Sequence, residues 1–493
     1  GGVRRYLATE TCTYLSLIVY TFLVALACTS SVVRLADRAL PSARIIAIWK
    51  PRARLTSGAG TATSGAGHRE RHMRDMSVPE WGLLARVFGR IGVLSFGGPA
   101  AQIALMHKEL VERHRWLSED GFLRALSLCM LLPGPEAMQL ATYAGWRLRG
   151  TLGGLLAGLL FVLPGAAVIL ALAFGYAYFG QLPLVQAAFM GIKAAVIVVV
   201  FQALRNLGRK ALHGRAGWVL AALAFVALFV FGLPFPLIIL GAGLWGAFGA
   251  TGHGSVVEVE GLHHRPARPF GVIGLWVALW ASPLMFVWGM GNEFLLKIGL
   301  FFSKLAVVTF GGAYAVLAYM AQTVVQDHGW ITTEQMIDAL GLAETTPGPL
   351  ILVTEFVALL AGFAQSGPWG AVSAGALALW VTFTPCFLWI FLAGPYLEAI
   401  SAQPRLAGAL RAITAAVVGV IANLSVWFAL HVMFERVLPM AHLAVPLPDW
   451  SSFDPLAAVL TGVAGVLMLG LRFGFVLTMT ISAALALCWR LLL

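Results

Sequence analysis

Apolar runs long enough to cross a bilayer, about 20 residues each as helix, recur near 151–179, 183–204, 216–233, 235–250 and 271–290. They resume near 367–393, 407–433, 454–471 and 473–489. Four further apolar regions are interrupted. Residues 82–106 and 293–320 each contain a double glycine and basic residues, and 122–149 and 336–363 are each cut by Pro-Gly-Pro. A polar linker, 251–270, divides the pattern. The pattern predicts an all-α integral membrane protein, a polytopic bundle with broken or re-entrant helices.

The pattern also repeats. At an offset of 214, Phe96-Gly97-Gly98 meets Phe310-Gly311-Gly312, Trp116 meets Trp330, and Pro133-Gly134-Pro135 meets Pro347-Gly348-Pro349. Over 88–135, 17 of 48 positions are identical without a gap. Apolar helices match by chance in their apolar residues, but not in Gly-Gly, Trp and Pro-Gly-Pro at one offset. Two halves follow: a first repeat at 78–250 and a second at 293–490, with 251–270 as linker and 271–290 as an extra crossing. Residues 1–72 form an N-terminal extension with no methionine and an apolar stretch at 14–28. A signal or anchor helix is one reading; upstream sequence from a misplaced start is the favoured one.

Composition agrees with lipid as the main solvent. The chain is 59% hydrophobic and 11% charged, against about 25% charged in soluble domains. The net charge of +11 does not point to nucleic acid, because the basic residues sit in short loops between apolar segments. The first repeat's loop carries Lys108, Arg113, Arg115 and Arg124. The matching stretch of the second repeat has no Lys or Arg and holds Asp327, Glu334 and Asp338. By the positive-inside rule the first loop is cytoplasmic and the second is not. The single crossing at 271–290 would produce that inversion, and inverted repeats are characteristic of secondary transporters.

Candidate chemistry lies in the interruptions. Gly-Gly inside an apolar helix costs about 1 kcal/mol per glycine, and broken backbone at membrane depth is tolerated where it lines a cavity or is covered by protein. Freed N–H groups at such breaks suit an anion; close helix packing by glycine is the plainer explanation. Pro-Gly-Pro cannot continue a helix and is either a turn or a pair of discontinuous helices meeting near the midplane. Glu136 and Gln139 follow the first copy, and Thr345 and Thr346 precede the second. Arg90 aligns with Lys304, and Lys193 lies deep in its segment. Basic residues at such depth are costly unless paired or functional. The bland account of Arg90 and Lys304 is snorkelling or an ion pair with Glu136 or Glu344. At the places matching Glu136, Gln139 and Lys193 the second half has Leu350, Val353 and Thr414, so binding chemistry is weighted toward the first half. The five cysteines form no CxxC pair, no metal spacing appears, and there is no Walker A, Rossmann or GxSxG motif in a credible context. No cofactor or metal is expected.

The run Ser95-Phe96-Gly97-Gly98-Pro99, then His114-Arg115-Trp116-Leu117-Ser118, then Leu131-Leu132-Pro133-Gly134-Pro135-Glu136-Ala137-Met138-Gln139 resembles the first domain of the chromate ion transporter family. Thr309-Phe310-Gly311-Gly312, Gly329-Trp330 and Thr345-Thr346-Pro347-Gly348-Pro349 resemble its second domain. The resemblance covers about 78–490 and implies a multi-pass protein of the bacterial inner membrane that exports chromate and confers resistance to it. The expected site is a midplane crossing of the two broken-helix pairs. Backbone at Phe96, Gly97, Gly98, Gly311, Gly312 and both Pro-Gly-Pro elements would meet the oxygens, and Arg90, Lys193 and Lys304 would offset the charge. Expected partners are chromate, sulfate as a competitor, the bilayer and a coupled proton, with a homodimer left open and nucleic acid excluded. A transporter for sulfate or another oxyanion is the alternative. A membrane chromate reductase, from another class, would need a redox constellation that the sequence lacks.

Overall fold

The structure, a computed structural model, describes residues 79–249, 269–310, 313–396, 404–440 and 443–492. The N-terminal extension, most of the linker, and Gly311 and Gly312 lie outside the described residues. Among those described, fifteen helices and one short hairpin form an all-α multi-pass membrane protein, with six helices long and apolar enough to cross a membrane and three shorter apolar ones.

In the first half, α1 (Trp81–Leu94) stops at Ser95-Phe96-Gly97, and α2 (Gly98–His107) continues through a π turn, Lys108–Arg113. Then α3 (Glu119–Leu131) leads into Pro-Gly-Pro and α4 (Glu136–Phe179). Ser118 caps α3 by accepting from Gly121 N, with Glu119 and Asp120 in the first turn, where the helix dipole favours them. Its counterpart Thr332 forms a capping box with Gln335 at α11 (Thr333–Thr345). The two caps are one of several local devices kept in both copies.

α4 is not straight. Arg149 and Gly150 leave helical geometry, Gly150 with φ 65°, and the chain folds back on itself. Gly145 backs onto Gly153 and Ala157, and Gly158 onto Thr142. The first arm, 136–148, is therefore antiparallel to the second, 151–179, which is about 43 Å long at 1.5 Å per residue. α1 runs beside the second arm in the same direction: Arg149 stacks over Trp81 and donates to Pro79 O, while Gly92 backs onto Leu160. His107 meets Phe122, and Trp116 meets Phe88. The chain thus dips inward twice and returns each time to the end where Trp81 and Arg149 lie.

Four helices follow: α5 (Pro183–Ala211), α6 (Gly214–Phe229), α7 (Phe235–Gly249) and, past the linker, α8 (Pro269–Gly289). The second half then repeats the plan with α9 (Glu293–Val308), α10 (Ala313–Ala321), a π turn at Gln322–Asp327, α11, and α12 (Val353–Ala393), broken at Ser366 and Gly367. α13 (Pro404–Met433), a hairpin of β1 (Val437–Met440) and β2 (Leu443–Pro448), α14 (Pro455–Gly465) and α15 (Phe475–Leu492) complete it. α8 lies against the second arm of α12: Trp280 Nε1 donates to Val381 O, Trp380 Nε1 donates to Leu279 O, and Trp276 stacks on Phe387.

The second arms of α4 and α12 lie side by side and antiparallel. Gly154 backs onto Phe391 and Gly158 onto Phe387, while Phe174 and Tyr178 meet Phe363 near the other turn. The break at 149–150 and its counterpart at 366–367 are thus at opposite ends of the bundle. The first end carries Arg113, Arg115, Arg147 and Arg149; the second carries Asp327 and Glu334.

The repeat register needs one correction. The glycines at the two breaks, Gly150 and Gly367, are 217 residues apart, because the 3-10 turn Leu350–Leu352 inserts three residues after the second Pro-Gly-Pro. Glu136, the first residue of α4, therefore corresponds to Val353, and Gln139 to Phe356. Leu350 and Val353 are not their counterparts.

Candidate functional site

The two kinds of interruption meet at the centre of the bundle, each against its counterpart from the other half. Gly134 N donates to Thr309 O at 2.9 Å, and Gly348 N donates to Ser95 O at 2.9 Å. The two bonds are related by the 214-residue offset, so each half's double-glycine element holds the other half's Pro-Gly-Pro. Such reciprocal pairing is the mark of an approximate two-fold relation. The support behind it is duplicated too: Ser95 Oγ donates to Ile91 O and Thr309 Oγ1 to Leu305 O, both at 2.6 Å. Gly134 and Gly348 have φ of 119° and 90°, values that strain any residue with a Cβ.

This engagement changes the expected anion contacts. The amides of Gly134 and Gly348 already have carbonyl partners, and Phe96 N donates to Leu94 O at 2.9 Å. The backbone donors left without an intrahelical partner are those of the first turn of α2, which begins at Gly98 after Gly97 in the left-handed region.

Side chains break the symmetry. Gln102, on α2, is buried, and its Nε2 donates to Gly348 O at 2.7 Å and reaches Ser95 O at 3.5 Å. Gln139 Nε2 donates to Pro133 O at 2.7 Å. The Oε1 atoms of both glutamines are buried and lack a partner among the described residues. A small cavity lies between the elements, lined by Pro99, Gln102, Pro135, Glu136, Ala137, Pro349, Leu350 and Ile351. Pro133, Pro135 and Glu136 are half-buried and Gly97 is exposed, whereas Thr346, Pro347, Gly348 and Pro349 are buried. The hydroxyls of Thr345 and Thr346 donate back to Leu342 O and Ala343 O. The accessible face of the crossing thus belongs to the first half.

The cations are spread out rather than gathered at the crossing. Arg90 pairs at 3.9 Å with Glu109, a nearly buried carboxylate that also meets Arg113 at 3.3 Å and His114 at 3.7 Å. Neither Glu136 nor Glu344 is its partner, contrary to the expected pairing, because the returning α2 brings its π turn alongside α1. Lys304 is exposed and sits 5.6 Å over the Tyr319 ring; the counterpart of Glu109 there is Thr323. Glu344 accepts from Tyr314 OH at 2.6 Å. Lys193 pairs with Asp338 at 3.2 Å, and Asp338 also accepts from Tyr176 OH at 2.7 Å.

Gln102, Glu109, Tyr176 and Asp338 were not among the residues the motifs singled out as site residues. Their signal was departure from the repeat: at the 214 offset Gln102 faces Val316, Glu109 faces Thr323 and Asp338 faces Arg124. A polar or charged side chain whose chemistry is not kept in the other copy indicates chemistry that the duplicated scaffold does not require.

The sequence matches the family model described as "Chromate transporter" twice, over residues 82–247 and 296–488. The probable chromate transport protein of Synechococcus elongatus is 30% identical over 393 residues, covering 78% of this chain and 94% of that protein. The chromate transport protein of Pseudomonas aeruginosa is 36% identical over 377 residues, covering 73% and 83%. That of Cupriavidus metallidurans is 30% identical over 367 residues, covering 73% and 85%. No solved structure matches.

Proposed function

Since the chain belongs to the chromate transporter family, we propose that it is a secondary transporter that exports chromate from the cytoplasm and thereby confers resistance. The observation that carries the mechanism is the reciprocal crossing, Gly134 to Thr309 and Gly348 to Ser95. In this reading the two repeats are inverted in the bilayer, with 271–290 as the odd crossing. Broken helices meeting at a central cavity are how such transporters build a midplane site.

Chromate is a tetrahedral dianion. It enters beside Phe96, Gly97 and Gly98, where the first turn of α2 offers free N–H groups and the positive end of a helix dipole. Pro133, Pro135, Glu136 and Gln139 form the facing wall. The half-buried Thr345 and the buried Thr346, Pro347, Gly348 and Pro349 brace that wall. Lys193 of the first half, paired with Asp338, and Lys304 of the second, which lies over the Tyr319 ring, supply positive charge. Arg90, already matched by Glu109, shapes the returning hairpin instead. Gly311 and Gly312 correspond to Gly97 and Gly98 in sequence.

Export needs no separate energy-converting domain. One charge moving through 100 mV is worth about 2.3 kcal/mol, so a dianion leaving a negative-inside cell gains roughly 4.6 kcal/mol per 100 mV. A coupled proton would ride on Glu136, which lines the cavity. Rocking of one half against the other alternates access. Uptake of labelled chromate by everted vesicles tests the reading: protein-dependent accumulation supports it, and none at normal expression overturns it. Sulfate is close in shape and charge, so competition by sulfate in the same vesicles measures selectivity. Formation of Cr(III) by the purified protein would instead favour a reductase.

A further inference from the structure

Lys193 sits in α5 of the first half, and the group that meets it belongs to the second. Asp338 Oδ1 lies 3.2 Å from Lys193 Nζ, and Oδ2 accepts from Tyr176 OH at 2.7 Å. Tyr176 is in the second arm of α4, so a single acidic side chain of the second half is clasped by two side chains of the first. Asp338 is 6% exposed and Lys193 21% exposed in their side chains. Glu334, one turn earlier on α11, is the other charged group that reaches Asp338. None of this is duplicated: the residues matching Tyr176, Lys193 and Asp338 are Ala393, Thr414 and Arg124.

The clasp is placed where movement of the two halves is felt. Asp338 precedes Thr345 by seven residues, about 10 Å along α11, and Thr345 leads directly into the buried Pro-Gly-Pro. Gly341, almost one turn closer to that loop, backs onto Ile192 and Val196 of α5. The two carboxylate oxygens have different partners. Oδ2 is held by a tyrosine, while Oδ1 has the ammonium and no other donor among the described residues. If Lys193 turned away, the carboxylate would still keep one hydrogen bond. The ammonium, on a part-buried side chain, would lose the one carboxylate it pairs with among the described residues, and removing one partner of such a pair is costly. Lys193 therefore leaves Asp338 most readily when another anion takes the carboxylate's place.

We infer that Asp338 is the internal counter-anion of Lys193, occupying the position that the transported dianion takes in passing and regaining it to release that dianion. The inference rests on the transport reading and adds to it a residue that sets release. Tyr176 positions the carboxylate and does not touch the substrate. A dianion binds the freed ammonium until Asp338 competes it off, so weakening the competitor tightens substrate binding and slows turnover.

The test uses the full chain in proteoliposomes with labelled chromate. Asp338→Asn keeps the shape and the tyrosine's hydrogen bond but removes the charge. It should lower KM about tenfold and kcat by a similar factor, and Asp338→Glu should restore both toward wild type. Tyr176→Phe, which keeps every charge, should move both constants the same way by a smaller factor, and it carries the test if Asp338→Asn does not fold. Lys193→Gln should raise KM. A purely structural clasp would lower the amount of folded protein without lowering KM. Wild-type or raised KM in folded Asp338→Asn, or in Tyr176→Phe if only that variant folds, overturns the inference. Absence of chromate flux in wild type overturns the transport reading itself, a separate result.

Discussion

Gly165 sits in the second arm of α4, against the carbonyl of Pro347 in the second Pro-Gly-Pro. A Cβ there would fall well inside contact distance of Pro347 O, 2.6 Å from Leu352 Cδ1 and 3.1 Å from Pro347 C. The leucine can rotate away, but the backbone carbonyl cannot. Carbon contacts begin at about 3.5 Å, so Gly165→Ala forces helix and loop apart by about 1 Å. Overpacking of this kind costs about 1–3 kcal/mol. The displaced loop also carries Gly348 N, whose 2.9 Å bond to Ser95 O would be lost, adding about 1 kcal/mol. Alanine's better helix propensity offsets about 1 kcal/mol, leaving a net loss of about 1–3 kcal/mol. A shift of about 1 Å at a positioned site lowers rates by up to roughly 100-fold. Gly175→Ala in the same helix is the control, because nothing lies within 4 Å of its Cβ position; it should be neutral or slightly stabilising. Thermal unfolding in detergent and initial chromate rates in vesicles would be compared for both. If the two variants behave alike, the crossing does not depend on this close approach and the geometric argument fails.

Gln102→Leu removes the side chain that bridges Gly348 O and Ser95 O; it should lose about 1–3 kcal/mol of stability and most transport, read by the same two assays. Arg90→Ala and Lys304→Ala should separate despite their matched positions. Losing Arg90 leaves Glu109 with fewer cations and lowers thermal stability by about 1 kcal/mol, whereas losing Lys304 raises KM for chromate with little change in unfolding temperature. Glu355 is buried with Oε2 unpartnered among the described residues, so Glu355→Gln should raise the unfolding temperature; a fall would mean that the carboxyl has a partner in the working protein.

The helices were legible because apolar length and its interruptions report them directly: 183–204 falls within α5 and 271–290 matches α8 to within a residue at its C-terminal end, and each Pro-Gly-Pro ends a helix where proline and glycine require it. The crossing was legible in outline, since two kinds of broken element in register suggested a meeting point. Its hydrogen bonds were not. Nothing local in Ser95 or Thr309 says that its carbonyl will receive an amide from the opposite half. The inserted turn at Leu350–Leu352 was hidden because those residues are as apolar as the helix that follows. The partner of Arg90 was missed because Glu109 reads as part of a charged loop, and only the return of α2 beside α1 buries it.

Duplication explains why the charged groups are where they are. A scaffold used twice must form the same hydrogen bonds twice, and the backbone exchange at the crossing does so, with the carbonyls of Ser95 and Thr309 accepting from Gly348 N and Gly134 N while their hydroxyls donate to matching carbonyls of their own helices. Charge cannot be repeated so freely, because a dianion crossing a low-dielectric centre must find attraction that changes along its path; a symmetric set of cations would hold it at the middle. The two copies accordingly differ in the partners of their central cations. Arg90 has Glu109 while Lys304 has an aromatic ring, and Lys193 has Asp338 where the other copy has Thr414 and Arg124. In the proposed mechanism the backbone would set one central place for the anion, and the unequal side chains would give the passage through it a direction.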